Sequence, residues 1–428
     1  MDVAAKAHQI LARLPEGGLF GGHQWRIAPK PFPLDSKLTK ELEILGRILN
    51  KFYQAADLLY RQSVRKKQPE WIAEWLERGK PQSVIELQRD QAFKNQLPRV
   101  IRPDILLTQE GWHITELDSV PGGIGLTGWL NDAYGDVIGG RTGMLNGFSG
   151  IFSLTNSVHI MVSEESGTYR PEMEWLSEQL DDRFSVCDST FTNFNEGDSV
   201  YRFFELFDLP NIEASDLLFT SAQKGQIQIT APPKSHLEEK MLFALFWNQN
   251  LKEFWRQELG AKYTKQLEKV IPETWIIDPS PIPPHAAIPR LNLTNWNQLS
   301  KLSQKERKLI LKLSGFNERA WGSRSVRLGT DLPQTEWAES VDTAISEFNT
   351  SPWILQRYKK PRVIEHDWFN FETESISTMN GRVRLCPYYF THEENEIHLG
   401  GVLATICPAD KKIIHGMRDA IMAPCSTV

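Results

Sequence analysis

The chain has 428 residues, 40% of them hydrophobic and 24% charged, a balance that excludes a disordered tail protein and a collagen-like repeat. Its length corresponds to about two to four domains. With 48 basic and 54 acidic residues, the net charge of -6 offers no electrostatic case for a nucleic-acid partner.

Asp2, Lys6, Arg13 and Glu16 interrupt the N-terminal segment, so no secretory leader is expected. No stretch approaches the roughly eighteen apolar residues that span a bilayer, and no membrane partner is expected. Cys187, Cys386, Cys407 and Cys425 are scattered without a C-x-x-C pair. They read as thiols in a reducing cytoplasm, with neither a disulfide framework nor a structural zinc.

Residues 15–34, rich in Gly and Pro, read as an irregular segment. A helix follows Asp35 and Ser36, either of which can cap it. Leu38, Leu42, Leu45, Leu49, Phe52, Ala56 and Leu59 give it one apolar stripe. From Arg99 the period changes to two, and RVIRPDILLT and WHITELD form a hairpin around Gln109–Gly111. PGGIGLTGWL leads into a possible helix. SVHIMV then reads as a buried strand and RPEMEWLSEQL as a helix with Pro171 in its first turn.

The stretch from there to about 235 is polar and strand-poor, and it ends in Pro232 and Pro233. Ser235 and Glu238 form a capping box for a helix bearing Leu237, Met241, Leu245, Leu251 and Phe254, with Gly260 as its stop. Prolines at 279–289 break the chain again. The strands RKLILKL, PWILQRY, GRVRLCPYYF and IHLGGVLATI follow, with a helical AESVDTAISEF between the first two and the last two read as hairpin partners.

Chemistry enters at the hairpin. Alternate residues of a strand share a face, so Glu116 and Asp118 project together, as do Arg102 and Asp104 on the paired strand. Two close carboxylates suit a hard cation such as magnesium. The same residues equally suit ordinary cross-strand ion pairs. Gly123, Gly125 and Gly128 reproduce G-x-G-x-x-G, which raises a dinucleotide-dependent oxidoreductase as an alternative. No acidic residue follows at the spacing that would hold a ribose, so these glycines read as close-approach positions for a ligand or another element.

Lys312 ends a β-run before a loop with Gly315, Gly322, Ser323 and Arg324, which forms either an anion nest or a mobile basic surface loop. Gln356, Arg357 and Tyr358 stand at a strand end, where backbone groups can meet an adenine edge. Arg384 faces either a phosphate or a neighbouring acid.

The order of these pieces resembles the ATP-grasp superfamily in its circularly permuted form, as in eukaryotic glutathione synthetase and glutathionylspermidine synthase. RPDILL…GWHITELD resembles the family's R-x-D…E-x-N hairpin, with Asp118 in place of Asn. SVHIMVSEESGTYRPEMEWL is similar to the pre-ATP-grasp module of the permuted proteins. LILKLSGFNERAWGS resembles the lysine strand and glycine-rich lid, with Leu313 in place of Pro. WILQRY resembles the adenine hinge. RVRLCPYYF…HLGGVLATI…HGMRDAIMAPC resembles the carboxyl-terminal motifs, with Thr405 where relatives carry Arg and with Gly416-Met417-Arg418-Asp419 in place of G-G-x-x-D.

The resemblance implies an α/β fold with α+β elements, ATP-grasp-like and circularly permuted, with the pre-ATP-grasp strand–helix module in mid-chain. Residues 1–150 would be a helical segment plus metal-binding hairpin, 151–235 the pre-ATP-grasp module, and 236–428 the nucleotide-binding region with its lid. It implies an ADP-forming carboxylate–amine ligase using ATP and Mg2+ through an acyl phosphate. Its partners would be a small-molecule carboxylate and an amine. Glu116, Asp118 and Glu318 would bind magnesium. Lys240, Lys312, Gly322 and Ser323 would contact phosphates, Gln356, Arg357 and Tyr358 would line adenine, and Arg102 and Arg384 would neutralise the transferring group. The departures keep a non-catalytic ATP-binding scaffold open as an alternative.

Overall fold

The computed structural model describes residues 3–21, 25–283, 286–411, 414 and 418–428. In chain order its strands are β1 Arg26–Ile27, β2 Phe32–Leu34, β3 Val100–Thr108, β4 Gly111–Asp118, β5 Val158–Val162, β6 Phe184–Cys187, β7 Ser199–Phe203 and β8 Gln228–Thr230. They continue as β9 Thr274–Ile276, β10 Leu309–Leu313, β11 Arg327–Leu328, β12 Trp353–Arg357, β13 Val363–Asn370, β14 Ser375–Thr391, β15 Ile397–Pro408 and β16 Ile421–Thr427. The chain divides into two units. The first comprises Met1–Asn50, Asp90–Pro232 and Pro361–Val428, and the second Lys51–Arg89 and Pro233–Lys360.

The first unit holds a large sheet in the order β1-β16-β15-β14-β3-β4, with β13 on β14 and β2 on β16. The β3–β4 and β14–β15 hairpins are antiparallel, as the alternating sequence predicts. A second sheet, β6-β5-β7-β8, is parallel throughout. It corrects the reading of the stretch before residue 235 as strand-poor. FSVC, SVYRF and QIT are too short and too mixed in polarity to show a period, and parallel pairing with the apolar β5 makes them strands. Residues 15–34 are likewise not wholly irregular, since β1 and β2 join β16 in parallel. Trp129, Phe148, Tyr201, Phe203 and Tyr388 are among the core residues of this unit.

The expected helix after Asp35 runs from Ser36 to Val64. The Asp35 carboxylate accepts the Leu38 N–H at 2.8 Å, and every residue of the apolar stripe is buried. The second unit carries an antiparallel sheet, β11-β10-β12-β9, packed on Trp296, Trp337, Val341 and Trp353. One expectation fails here and another holds. Ser235 caps nothing: it lies in a short 3-10 turn and its hydroxyl donates to Gln88 at 2.6 Å, while the helix starts only at Met241. Gly260 does stop a helix: at φ 77° and ψ 154° it is non-helical and separates the run that begins at Lys252 from a second run that reaches Val270. A glycine reaches that φ at no steric cost, which suits it to the break.

Candidate functional site

In the first unit the hairpin register sets Arg102 opposite Asp118 and Asp104 opposite Glu116. The four side chains thus share the face that the alternation predicts. Arg102 pairs with Asp104 at 3.2 Å and Asp118 at 3.0 Å and donates to the Gly122 carbonyl at 3.0 Å. Arg384, on β14 beside β3, pairs with the second oxygen of Asp104 at 3.1 Å. Asp104 is the residue that sequence reasoning underweighted: it holds both arginines and also accepts from the Cys386 thiol at 3.5 Å.

Asp118 also accepts the Val120 N–H at 2.9 Å. Burial raises its pKa against the pull of Arg102, and Glu116 and Asp104 raise it further. The oxygen donors are of the right kind for magnesium, but Asp118 and Asp104 are committed to guanidinium groups. As arranged, this set binds arginine and does not fit a metal ion. Among the described residues no group of three His, Cys, Asp or Glu side chains is placed to hold one. Glu318 belongs to the second unit, on an exposed short turn Glu318–Ala320.

The glycine fingerprint opens the helix Ile124–Tyr134, with Gly123 at φ 89° before it. The helix N-terminus is already filled: the buried Glu172 carboxylate accepts the N–H groups of Gly123 at 2.6 Å and Leu126 at 3.0 Å. Burial raises the Glu172 pKa to about 7 even against those bonds. A side chain at Gly125 would collide with the Glu172 backbone, and one at Gly128 would meet Trp175 at 3.0 Å. The glycines therefore serve close packing against the helix Arg170–Glu178, and the dinucleotide reading loses its phosphate site. Gly125→Ala is expected to cost about 3 kcal/mol by overpacking. Thermal denaturation alongside Gly167→Ala, where nothing lies within 4 Å, checks this.

In the second unit Lys312 lies on β10 and Gln356 on β12, both buried. The Lys312 amine donates to the Gln356 carbonyl oxygen at 3.0 Å, and the Gln356 amide donates to the Thr274 hydroxyl at 3.2 Å. The antiparallel register sets Ile310 and Thr274 opposite Gln356, while Lys312 stands opposite Ile354 and reaches Gln356 diagonally on the same face. Arg357 leaves the strand end to pair with Glu273 at 3.2 Å, and the Tyr358 N–H donates to the Lys308 carbonyl at 3.0 Å. Lys240 donates through its amine to the Ala320 carbonyl at 3.1 Å, and its backbone N–H reaches Ser314. Lys240 is thereby tied to the loop that contains Gly322 and Ser323, both at positive φ in a turn. Gly416 and Met417 lie outside the described residues, and Asp419 pairs with Lys411 at 3.8 Å.

A buried charged cluster in the second unit escaped the sequence altogether. Asp57 accepts Lys234 at 2.9 Å, His236 at 3.1 Å and Arg61 at 2.7 Å. The His236 ring stacks on Tyr60 at 4.0 Å. Nearby, Lys80 pairs with Glu239 at 2.8 Å, both nearly inaccessible. Only the Asp57–Arg61 spacing is a local signal; 177 residues separate Asp57 from Lys234.

Burial lowers the His236 pKa from 6.5 to about 4. Burial pushes Asp57 up, but His236 and Lys234 outweigh it and bring Asp57 from 3.8 to about 2. Between each pair of values the unfolded chain binds the extra proton, so stability rises with pH there. We expect stability to fall on acidification from pH 6.5 to about 4, and again from 3.8 to about 2. Urea midpoints across pH should lose the first fall in His236→Gln.

No protein-family model and no curated protein matches the sequence. Among solved structures, the chain is similar to a glutathione synthetase-like effector from Globodera pallida in its apo form. The likeness covers 100% of this chain and 96% of that one, with 11% identity and a TM-score of 0.55. A protein from Methylobacillus flagellatus assigned as a gamma-glutamylcysteine synthetase matches over 86% of each chain, at 10% identity and a TM-score of 0.41. The second likeness is too loose to carry weight. The first establishes the fold: mixed α/β, glutathione synthetase-like and of the ATP-grasp type, as the motif order implied.

Proposed function

We propose that the protein is an ATP-dependent, ADP-forming carboxylate–amine ligase. The observation that supports this reading most is the buried Lys312–Gln356–Thr274 hydrogen-bonded chain, in a protein whose whole length matches a glutathione synthetase-like fold. In this reading Lys312 and Lys240 neutralise nucleotide phosphates, and Gln356, Arg357 and Tyr358 line the adenine. The turn at Gly322 and Ser323 covers the phosphates and excludes water. Arg102 and Arg384 neutralise the transferring phosphoryl group or the acyl phosphate. A carboxylate oxygen attacks the γ-phosphorus and ADP leaves. The amine nitrogen then attacks the acyl carbon, and phosphate departs as the amide forms. The substrates are small molecules, a short acid or peptide and an amine. Four unpaired, buried cysteines agree with work in a reducing cytoplasm.

Calorimetry with a non-hydrolysable ATP analogue tests the nucleotide part. Lys312→Met should weaken binding at least roughly tenfold, with the melting temperature held near wild type. Absence of nucleotide binding by the wild type overturns the proposal. Running the titration with and without magnesium, in wild type and Glu116→Gln, decides whether the hairpin carboxylates ever exchange arginine for metal. ADP release with carboxylate and amine pairs tests the chemistry.

A second reading, a nucleotide-binding scaffold without catalysis, is favoured by one observation. Asp118, which the family resemblance assigns to metal, is engaged by Arg102 and the Val120 N–H. Magnesium-indifferent ATP binding with no ADP release would select it.

A further inference from the structure

In the parallel sheet of the first unit β6 is an edge strand, and β5 lies beside it. Their register sets Ser185 directly opposite His159, on the face turned away from the core residues Val158, Ile160 and Phe184. The Ser185 hydroxyl lies 3.3 Å from His159 Nδ1. On the other side of the ring, Nε2 lies 3.2 Å from the carboxylate of Asp198, just before β7. A carboxylate only accepts, so the neutral ring carries its proton on Nε2 and leaves the Nδ1 lone pair to accept the Ser185 O–H. Asp198 is itself fixed, accepting the Asn195 N–H at 2.8 Å. A hydroxyl, a base and an orienting acid thus stand in one line of hydrogen bonds, the arrangement that activates a nucleophile.

Exposure points to a use beyond packing. The side chains of Asp198 and His159 are 1% and 10% exposed, whereas Ser185 is an exposed residue. The line of bonds therefore runs from a desolvated acid to a hydroxyl that a substrate can reach. Phe191 and Phe194, half-buried in the β6–β7 connection, have ring centres 4.7 and 5.9 Å from the imidazole and 5.3 Å from each other. They shield the base and offer an apolar wall to a group carried beside the reacting carbonyl. The Val158 N–H donates to the Arg183 carbonyl at 2.8 Å, which turns the backbone groups of Arg183 and Ser185 toward β5. The N–H of Val186, next in the chain, is thus directed away from β5, where it can meet a developing oxyanion. No residue of this group takes part in the proposed ligase chemistry.

We propose that Ser185, His159 and Asp198 form a catalytic site of their own, which hydrolyses carboxylic esters of a small acyl group and an apolar or aromatic alcohol. As Ser185 Oγ bonds to the acyl carbon, its proton passes to His159 Nδ1 and the carbonyl π pair moves onto oxygen. That pair returns, the ester C–O bond breaks, and the departing alkoxide takes the proton from Nδ1. Water then attacks the acyl-serine, with Nδ1 again taking a proton. Ser185 Oγ leaves, recovers that proton, and the free acid departs. Asp198 holds the ring and stabilises its positive form without taking a proton.

The full chain is treated with p-nitrophenyl acetate and, separately, with an alkyl fluorophosphonate, whose fluoride the same serine oxygen displaces from phosphorus. Peptide mass spectrometry reads the modified residue. Turnover of the ester and a phosphonyl adduct at Ser185 are expected. Ser185→Ala should lose both while melting with wild type, because the side chain is exposed. His159→Gln should slow phosphonylation about a hundredfold, the ordinary worth of a general base. Since His159 is buried, its ring is also read in the wild type, where nitrogen chemical shifts should place the proton on Nε2. A proton on Nδ1 overturns the proposal, as does the absence of any adduct at Ser185. Equal labelling of Ser185 in a folded His159→Gln overturns it too, and so does ester turnover that survives in Ser185→Ala.

Discussion

Asp57→Ala is expected to destabilise the second unit by about 3–5 kcal/mol, the cost of leaving buried cations without their anion. Asp57 carries both Lys234 and His236 on one carboxylate oxygen and Arg61 on the other. The side chains of Asp57, Lys234 and His236 are each no more than 3% exposed. Water therefore cannot replace the lost partner, and the Lys234 ammonium bears most of the penalty. Chemical denaturation followed by tryptophan fluorescence measures the loss, because the indoles of this unit include Trp255, Trp296 and Trp337. Removing both charges together separates two causes. Asp57→Leu with Lys234→Met should recover a large part of the stability, since well-packed apolar replacements for a buried pair are often neutral or better. A double variant as unstable as the single one would mean that the cluster acts through shape and not charge.

Asp104→Asn should cost the first unit about 3 kcal/mol, the lower end for a broken buried pair. The lower end applies because Arg102 keeps Asp118 and the Gly122 carbonyl, and because Arg384 is 19% exposed. Arg384 is the group left stranded, since its buried Nε already has no partner among the described residues. Asparagine keeps the shape of the side chain, so the change reports charge. Thermal denaturation of Asp104→Asn beside Glu116→Gln makes the comparison, with Glu116 expected to matter less. If Asp104→Asn melts with wild type, the arginines are neutralised elsewhere and Asp104 does not organise the face. Under the proposed ligase reading, the same variant should lower turnover by altering how the arginines neutralise the transferring group, while nucleotide binding through Lys312 persists.

Much of this site was legible because its signals are local. The alternation in WHITELD and RVIRPDILLT placed Glu116 beside Asp118 and Arg102 beside Asp104, and the register agrees. The Lys312 strand and the Gln356 strand were found by their apolar periods, although nothing in either segment announced that the two side chains touch. The glycine fingerprint misled for the same reason. Its spacing is that of a phosphate-binding turn, and only the position of Glu172, more than forty residues on, shows what occupies the helix end.

The amino-acid sequence by itself determined the long helix from Ser36, the two large hairpins, the buried β5 strand and the type of fold implied by the order of the motifs. Period and capping are consequences of backbone geometry within a few residues, so they survive without knowledge of the rest of the chain. The tertiary structure alone decided that Asp118 serves Arg102, that Asp104 holds two arginines, and that β6, β7 and β8 are strands at all. It also decided that Asp57, Lys234 and His236 meet. Which charge neutralises which is settled by burial and by contacts between distant segments, because a desolvated group must find its partner wherever the fold brings one.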